Sequence, residues 1–334
     1  MEHIHNIEIK NFKSIRHAVI DGCKRVNVFV GPPNVGKSNI LEALSVLQFA
    51  AKREHDLDFH DFCRYEKEPE IFFEANTKEQ TFVGCNSSVS IDMEIDAKNV
   101  VHFAPVVSID KKLHGYQTAI KQKLEETAEL NVLKYQFKGV PKKEGSKAWP
   151  FRNLQSPFGD NLFEVVSNDV ELRKMFNDYL KQNGIRLLVD KTENSLKLLK
   201  DLNEDSFFQL PYSMMADTLQ RLFFYKTAIL TNKRAVLLFE EPESHLYEPY
   251  ILDITNAIKY DKNNNQYFIV THNQYFIDEL LRDEESRNET SIYMVGLEKG
   301  GTAIRILKQQ ENEDVFSYGL NVFFNYEDLW KQNA

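Results

Sequence analysis

Residues 31–38 read GPPNVGKS, and this stretch decides the fold of the chain. Its two glycines, Gly31 and Gly36, allow a tight backbone turn in which successive N–H groups face an anion. The β-branched run Val26–Val30 precedes the loop, and an apolar pattern with helical spacing follows from Ser38 onward. This order of strand, glycine-rich loop and helix predicts a binding site for the phosphates of a nucleoside triphosphate.

Two side chains at the end of this loop carry most of the predicted chemistry. The Lys37 ammonium can reach the β- and γ-phosphate oxygens, and the Ser38 hydroxyl can ligate Mg²⁺. The predicted nucleotide contacts of this stretch are Gly31, Pro32, Asn34, Val35, Gly36, Lys37, Ser38 and Asn39.

A pair of acidic residues at the end of a later strand is the second predicted part of the site. Residues 235–239 read AVLLF, a continuous apolar run typical of a strand buried on both faces, and Glu240 and Glu241 follow it. We assign Glu240 to the Mg²⁺ shell and Glu241 to the orientation and polarisation of the attacking water. A merely solvated acidic turn is the simpler interpretation, and the phosphate loop upstream disfavours it.

A histidine follows the next apolar run of the chain. Residues 267–271 read YFIVT, and His272 comes directly after them. Ligands of open α/β sheets bind at the edge where parallel strands end, so this histidine and the acidic pair are expected at the same edge. We therefore predict that His272 donates a hydrogen bond to the γ-phosphate, although a lone histidine after a strand is usually structural.

Composition restricts the class of protein. The chain has 334 residues and a formal net charge of −9. This charge argues against a uniformly basic protein that wraps nucleic acid, so any DNA contact would be a local patch. No apolar run approaches the ~18 residues of a membrane span, and the first residues do not resemble a signal peptide, so we expect a cytoplasmic protein. The cysteines Cys23, Cys63 and Cys85 are widely spaced, which favours free thiols over a disulfide or zinc site.

The order of elements predicts an α/β fold. Short strands are expected over the first 31 residues and again at 71–73 and 89–95. From about 105 to 205 the pattern changes to helices and polar connections, which we interpret as an inserted segment; its basic stretch 140–147 is either a solvated loop or a contact for nucleic acid or a partner. Helices and strands then alternate, which implies a largely parallel sheet covered by helices. The predicted elements of this last part are helix 214–230, strand 235–239, helix 246–260, strand 266–271, helix 273–282 and strands near 291–296 and 302–308.

These motifs together resemble the ABC-class ATPase heads of the RecF, SMC and overcoming-lysogenization-defect (OLD) group. Residues 9–15, IKNFKSI, are similar to the family's opening strand and adenine-side loop, which implies nucleotide contacts at Asn11, Phe12 and Lys13. Residues 213–221 occupy the place of the ABC signature, and 244–246 that of the D-loop. Glu240 and Glu241 match the Walker B pair, and His272 is similar to the switch histidine.

The resemblance implies the architecture and the assembly. It implies an α/β ABC-type P-loop ATPase head spanning 1–334 as a single domain, with a mostly parallel central sheet, an N-terminal antiparallel β subdomain and a largely helical lid at 105–205. ATP and Mg²⁺ would be bound in two composite sites of a head-to-tail dimer or higher oligomer, in which Ser213 of one subunit contacts the nucleotide of another. The chain is too short for long coiled-coil arms or an appended Toprim nuclease, which suggests a separate effector protein.

We expect an ATPase whose cycle controls DNA or an effector protein, in genome maintenance or anti-phage defence. An ATP-gated scaffold or sensor with little hydrolysis is the alternative, because Glu240 stands where the family usually has Asp, and Ala216 and Asp217 stand where the signature has glycine. A GTPase is disfavoured, since residues 232–235, NKRA, lack the aspartate of the N-K-x-D base-reading motif. A transporter subunit is disfavoured by the opening strand and the acidic tip, so we expect no membrane partner.

Overall fold

The computed structural model describes residues 3–51, 58–86, 89–98, 100–109, 112–113, 131–139, 152–203 and 206–332. The strands in these ranges are β1 (Ile7–Phe12), β2 (Ile15–Ile20), β3 (Val26–Val30), β4 (Thr81–Cys85), β5 (Val89–Ile95), β6 (Val101–Ile109), β7 (Lys112–Leu113), β8 (Val132–Tyr135), β9 (Ile185–Asp190), β10 (Ser195–Asn203), β11 (Ser206–Pro211), β12 (Val236–Glu240), β13 (Gln266–Val270), β14 (Thr290–Glu298) and β15 (Gly301–Ile306). The helices in these ranges are α1 (Lys37–Ala51), α2 (Leu162–Asn168), α3 (Val170–Lys181), α4 (Asp217–Thr231), α5 (Glu248–Lys259), α6 (Gln274–Leu281), α7 (Glu284–Asn288), α8 (Gln309–Tyr318) and α9 (Tyr326–Gln332).

The chain divides into two compact units. The first unit comprises Met1–Lys134, Arg234–Glu241 and Asn264–Ala334, and the second comprises Tyr135–Lys233 and Pro242–Asn263. The second unit overlaps the predicted insertion at 105–205 and extends well beyond it. No helix in the described part of either unit is long and apolar enough to cross a lipid bilayer.

A mostly parallel six-stranded sheet forms the centre of the first unit, in the order β15-β14-β3-β13-β12-β8. Strands β14, β3, β13 and β12 run parallel, with Val28 opposite Ile269 and Ile292. Every residue of β3 and β13 is buried, which explains why these strands read as continuous apolar runs rather than as alternating patterns. Because β3, β12 and β13 run in one direction, the residues that follow them lie at one edge of the sheet.

A second sheet in the first unit is antiparallel, in the order β2-β1-β4-β5-β6-β7. Helix α1 packs in the shared core with its Ile40, Leu44 and Leu47 side chains. The predicted N-terminal antiparallel subdomain is confirmed. The strand predicted at 71–73 is wrong: two 3₁₀ turns, Glu68–Ile71 and Phe73–Ala75, occupy this place, and a proline at the start of the first turn favours it over a strand.

The second unit combines a three-stranded antiparallel sheet, β11-β10-β9, with helices α2 to α5. Helix α3 buries Leu172, Phe176 and Leu180, and the Phe176 ring stacks on Phe223 of α4 with centroids 3.9 Å apart. The described part of 105–205 therefore mixes strands with helices and differs from the largely helical segment that we expected. The sequence does not reveal these strands, because many apolar and charged residues of β10 and β11 are exposed side by side. The alternation of apolar and polar residues that indicates a strand is therefore weak there. The basic stretch 140–147 lies outside the described residues.

Candidate functional site

The phosphate loop directly follows β3, and its two glycines have no room for a side chain. A Cβ on Gly31 would lie 2.1 Å from the carbonyl oxygen of Val295 in β14. A Cβ on Gly36, whose φ is +97°, would lie 2.2 Å from Oγ1 of Thr302 in β15. Real Cβ atoms do not approach other atoms this closely, so the neighbouring strands and the backbone conformation both require glycine here.

A network of hydroxyl and amide groups holds the loop against the first strands. The Thr302 hydroxyl donates to the Val35 carbonyl oxygen at 2.8 Å and lies 2.7 Å from the Ser14 hydroxyl. The Asn39 amide in turn donates to Ser14 Oγ at 2.7 Å. Val35 is buried, whereas Pro32 and Asn34 are exposed at the tip of the loop. The side chains of Asn39 and Val35 therefore shape the loop, and their predicted nucleotide contacts would come from the backbone.

Lys37 lies inside the loop. Its side chain is buried, and its ammonium donates to the carbonyl oxygens of Gly31 at 2.9 Å and Pro32 at 2.6 Å. Burial lowers the pKa of Lys37 to about 8, against the opposing effect of the Glu241 and Glu240 carboxylates. The loop thus holds a buried ammonium group between two of its own carbonyl oxygens.

The first residues of α1 and the last residue of β12 meet at the same place. The Ser38 hydroxyl donates a hydrogen bond to Oε1 of Glu240. A hydroxyl and a carboxylate oxygen are hard donors of the kind that Mg²⁺ prefers, so this pair fits the metal role predicted for both residues. The guanidinium of Arg64 also donates to Glu240 Oε1, at 3.3 Å. Arg64 was not predicted as part of the site.

A buried ion-pair cluster supports that arginine. The Glu42 carboxylate is almost fully buried, accepts the Arg64 Nε–H at 2.6 Å and receives the Lys13 ammonium on its other oxygen. The sequence does carry a signal for this cluster, because Glu42 is the one acidic residue of helix α1 and stands between the apolar residues Leu41 and Ala43. Lys13 is paired with Glu42 within the protein, and its contact with the nucleotide stays a prediction.

Asn11 and Phe12 also have structural roles in the first unit. Asn11 is buried, and its amide donates to the carbonyl oxygens of Asn76 and Glu79 at 3.1 and 2.7 Å while its Oδ1 accepts the Phe73 N–H. Phe12 is fully buried in the core. The structure therefore leaves neither side chain free for a ligand, and an adenine contact from this segment stays a prediction.

Glu241 and His272 lie beside each other at the ends of β12 and β13. The two strands pair in parallel with Glu240 opposite Val270, and the Glu241 N–H donates to the Val270 carbonyl oxygen at 2.8 Å. This arrangement places Glu241 Oε1 3.8 Å from Nε2 of His272, and both side chains are partly exposed. Burial lowers the pKa of His272, Lys37 lowers it further and Glu241 opposes the shift. The imidazole is therefore neutral at pH 7 and can donate one N–H.

Ser213 belongs to the second unit. It lies in the 3₁₀ turn Tyr212–Met214 just before α4, where its carbonyl oxygen accepts from the Gln220 amide at 3.3 Å. The Asp217 carboxylate that replaces the expected signature glycine is paired with Arg221 at 2.6 Å. A contact between Ser213 and the nucleotide of another subunit stays a prediction.

Comparison with known proteins gives the family. Residues 26–278 match the family described as an AAA domain, putative AbiEii toxin, type IV TA system. The chain belongs to this AAA family. Membership confirms the prediction of a P-loop ATPase, because the matched stretch contains the phosphate loop, the acidic pair and His272.

Individual relatives agree with the family. The chain is 26% identical over 347 aligned residues to a protein of Helicobacter pylori (strain ATCC 700392 / 26695) named ATP/GTP phosphatase, covering 87% of this chain and 91% of that protein. Its fold is similar to an SMC head bound to the C-winged helix domain of ScpA, with a TM-score of 0.57, 15% identity and coverage of 94% of this chain and 100% of that one. An SMC head with an extended coiled coil, bound to the C-terminal domain of ScpA derived from Pyrococcus furiosus, gives a TM-score of 0.57 at 14% identity and covers 94% and 98%. The predicted ABC-type head fold is confirmed.

Proposed function

We propose that this AAA-family protein is a cytoplasmic, Mg²⁺-dependent ATPase that hydrolyses ATP at the edge of the central sheet. The observation that carries the proposal is the convergence of Ser38 on Glu240 and of Glu241 on His272, next to the buried ammonium of Lys37. If Glu240 and Glu241 formed only a solvated acidic turn, nothing would require Glu240 to contact Ser38 in the first turn of the phosphate-loop helix. A site for a triphosphate with a metal ion needs both groups there.

Each of these side chains has a distinct task. Lys37 exchanges its two loop carbonyl partners for β- and γ-phosphate oxygens and neutralises part of their charge. Ser38 and Glu240 would hold Mg²⁺, which when bound neutralises phosphate charge and fixes the geometry of the triphosphate. The Glu241 carboxylate orients a water molecule and accepts its proton, while the neutral His272 donates its N–H to the γ-phosphate.

Glu241→Gln tests this assignment. The amide keeps the size of the side chain and cannot accept the proton of the water, so we expect turnover to fall by roughly 10²–10⁴-fold while ATP binding is retained. Glu285→Gln is the matched control, because Glu285 is exposed on α7 and outside the site. Turnover would be measured by phosphate release with purified protein and Mg²⁺. Wild-type turnover in Glu241→Gln would contradict the proposed role.

We further propose that ATP closes two copies of the chain into a head-to-tail dimer with Ser213 completing the partner's site. The family resemblance of residues 213–221 supports this proposal. Lys37→Ala and Ser213→Ala would each be inactive alone, but a mixture contains dimers with one intact site. We therefore expect mixing to restore part of the turnover, and a mixture as inactive as its components would contradict the composite site.

The biological role that we propose is control of an effector protein, or of DNA, in anti-phage defence or genome maintenance. The family description names a toxin of a type IV TA system, and the two SMC heads are bound to a domain of a second protein, ScpA. These relatives support a protein partner.

An ATP-gated scaffold with little hydrolysis is the second candidate, favoured by Asp217 at the signature position. Turnover well above roughly one per minute would exclude it, because a scaffold has no need of rates that approach those of enzymes.

A further inference from the structure

The segment between α8 and α9 packs against the loop that carries His272. Val322 is fully buried, and its N–H donates to the side-chain oxygen of Gln274 at 2.9 Å. The ring of Phe323 lies nearly parallel to the His272 imidazole, with an interplanar angle of 26° and centroids 6.2 Å apart. The backbone of Phe323 is fixed in turn, because its N–H donates to the Asn321 side chain at 3.0 Å. An aromatic side chain on a hydrogen-bonded turn therefore lies beside the histidine ring.

The end of this segment, at the first residue of α9, is anchored to β14 beside the phosphate loop. The Tyr326 hydroxyl donates to the Val295 carbonyl oxygen at 2.9 Å. A Cβ on Gly31 would lie 2.1 Å from this same oxygen. Tyr326 is therefore hydrogen-bonded to the residue of β14 that lies against the start of the phosphate loop. Contacts at both ends fix the turn that carries Phe323 relative to the first unit's site.

We infer that Phe323 is a positioning residue that holds the His272 imidazole in the orientation needed at the γ-phosphate. This inference rests on the role of His272 proposed above. His272 is partly exposed, and its nearest ionic partner, Glu241 Oε1, is 3.8 Å away, too far for a hydrogen bond that would fix the ring. Within the described residues, the 3.8 Å contact with Glu241 does not fix the ring, and the neighbouring Phe323 ring restricts the imidazole at this strand end.

The chain offers a matched control for this position. Phe324 is the next residue, has the same side chain and is 91% exposed. Replacement of Phe323 removes the ring beside His272, whereas replacement of Phe324 removes only a solvent-exposed ring. Phe323→Tyr keeps the ring and is the conservative variant.

The test compares kcat and KM for ATP in purified Phe323→Ala, Phe324→Ala, Phe323→Tyr and His272→Ala. We expect Phe323→Ala to lower kcat by roughly 10- to 100-fold with KM within about twofold of wild type, because misplacement of a reacting contact acts on the rate. Phe324→Ala and Phe323→Tyr are expected to keep wild-type kcat. In the His272→Ala background, the Phe323→Ala change is expected to have no further effect. Thermal unfolding of each variant verifies that it is folded.

Two outcomes would overturn the inference. One is wild-type kcat in Phe323→Ala when His272→Ala is impaired; the other is an equal loss from Phe323→Ala with and without His272. Both leave the proposed ATPase intact, since that is judged by Glu241→Gln. Wild-type turnover in Glu241→Gln would instead count against the proposed function itself.

Discussion

Nucleotide affinity is expected to fall as the pH rises past the pKa of Lys37. Burial lowers this pKa to about 8 in the free protein, so the ammonium loses its proton within a range that is easily studied. Phosphate oxygens favour the charged form and raise the pKa in the complex. The complex therefore binds more protons than the free protein above about pH 8, and affinity falls with rising pH.

The magnitude follows from the protonated fraction. With a pKa of about 8, the ammonium form falls from roughly nine tenths at about pH 7 to roughly one tenth at about pH 9. If only that form binds, the dissociation constant rises about tenfold over this range, or about 1.4 kcal/mol. In the free protein the pKa of His272 is lowered, so its imidazole is already neutral over this range and only Lys37 of these two groups loses a proton there.

Calorimetric titration with a non-hydrolysable ATP analogue and Mg²⁺ measures this effect. Titrations in buffers of different ionisation enthalpy also count the protons taken up on binding. Glu241→Gln removes a carboxylate that raises the Lys37 pKa, so its affinity is expected to begin falling at lower pH. A constant affinity over the range, with no proton uptake, would refute the reasoning. Titration of Lys37 does not lower affinity by unfolding the protein. Its pKa is higher in the unfolded chain, so the unfolded chain binds more protons and the free energy of unfolding rises with pH.

Two further predictions concern the frame of the site. Gly36→Ala places a Cβ against Thr302, whereas a Cβ at Gly300, which also has a positive φ, meets no atom within 4 Å. We expect Gly36→Ala to be about 1–3 kcal/mol less stable than Gly300→Ala, and equal urea midpoints would contradict this. Glu42→Gln removes the buried carboxylate between two cations and is expected to lower the free energy of unfolding by about 3 kcal/mol. Glu8→Gln is the control: it breaks an exposed ion pair and is expected to lower the free energy of unfolding by less than about 1 kcal/mol. Chemical denaturation of both variants measures the difference, and similar losses would show that the Glu42 cluster contributes little.

Much of the nucleotide site could be predicted because its signals are local. The loop at 31–38 needs glycine where the backbone turns, and those residues are adjacent in the chain. The strands β3, β12 and β13 are recognisable as apolar runs because both of their faces are buried. The run at 71–73 misled for the same reason, since a short apolar stretch buried in a turn has no periodicity that separates it from a strand.

The sequence by itself therefore determined the family of fold, the phosphate loop and the acidic and histidine positions at the strand ends. Only the tertiary structure decided which side chains support them. Arg64 meets Glu240, and Phe323 meets His272, across long stretches of chain whose pairing no local pattern encodes. It also gave Asn11 and Lys13 partners inside the protein. Such contacts depend on strand order and register, which bring distant residues together only after the chain has folded.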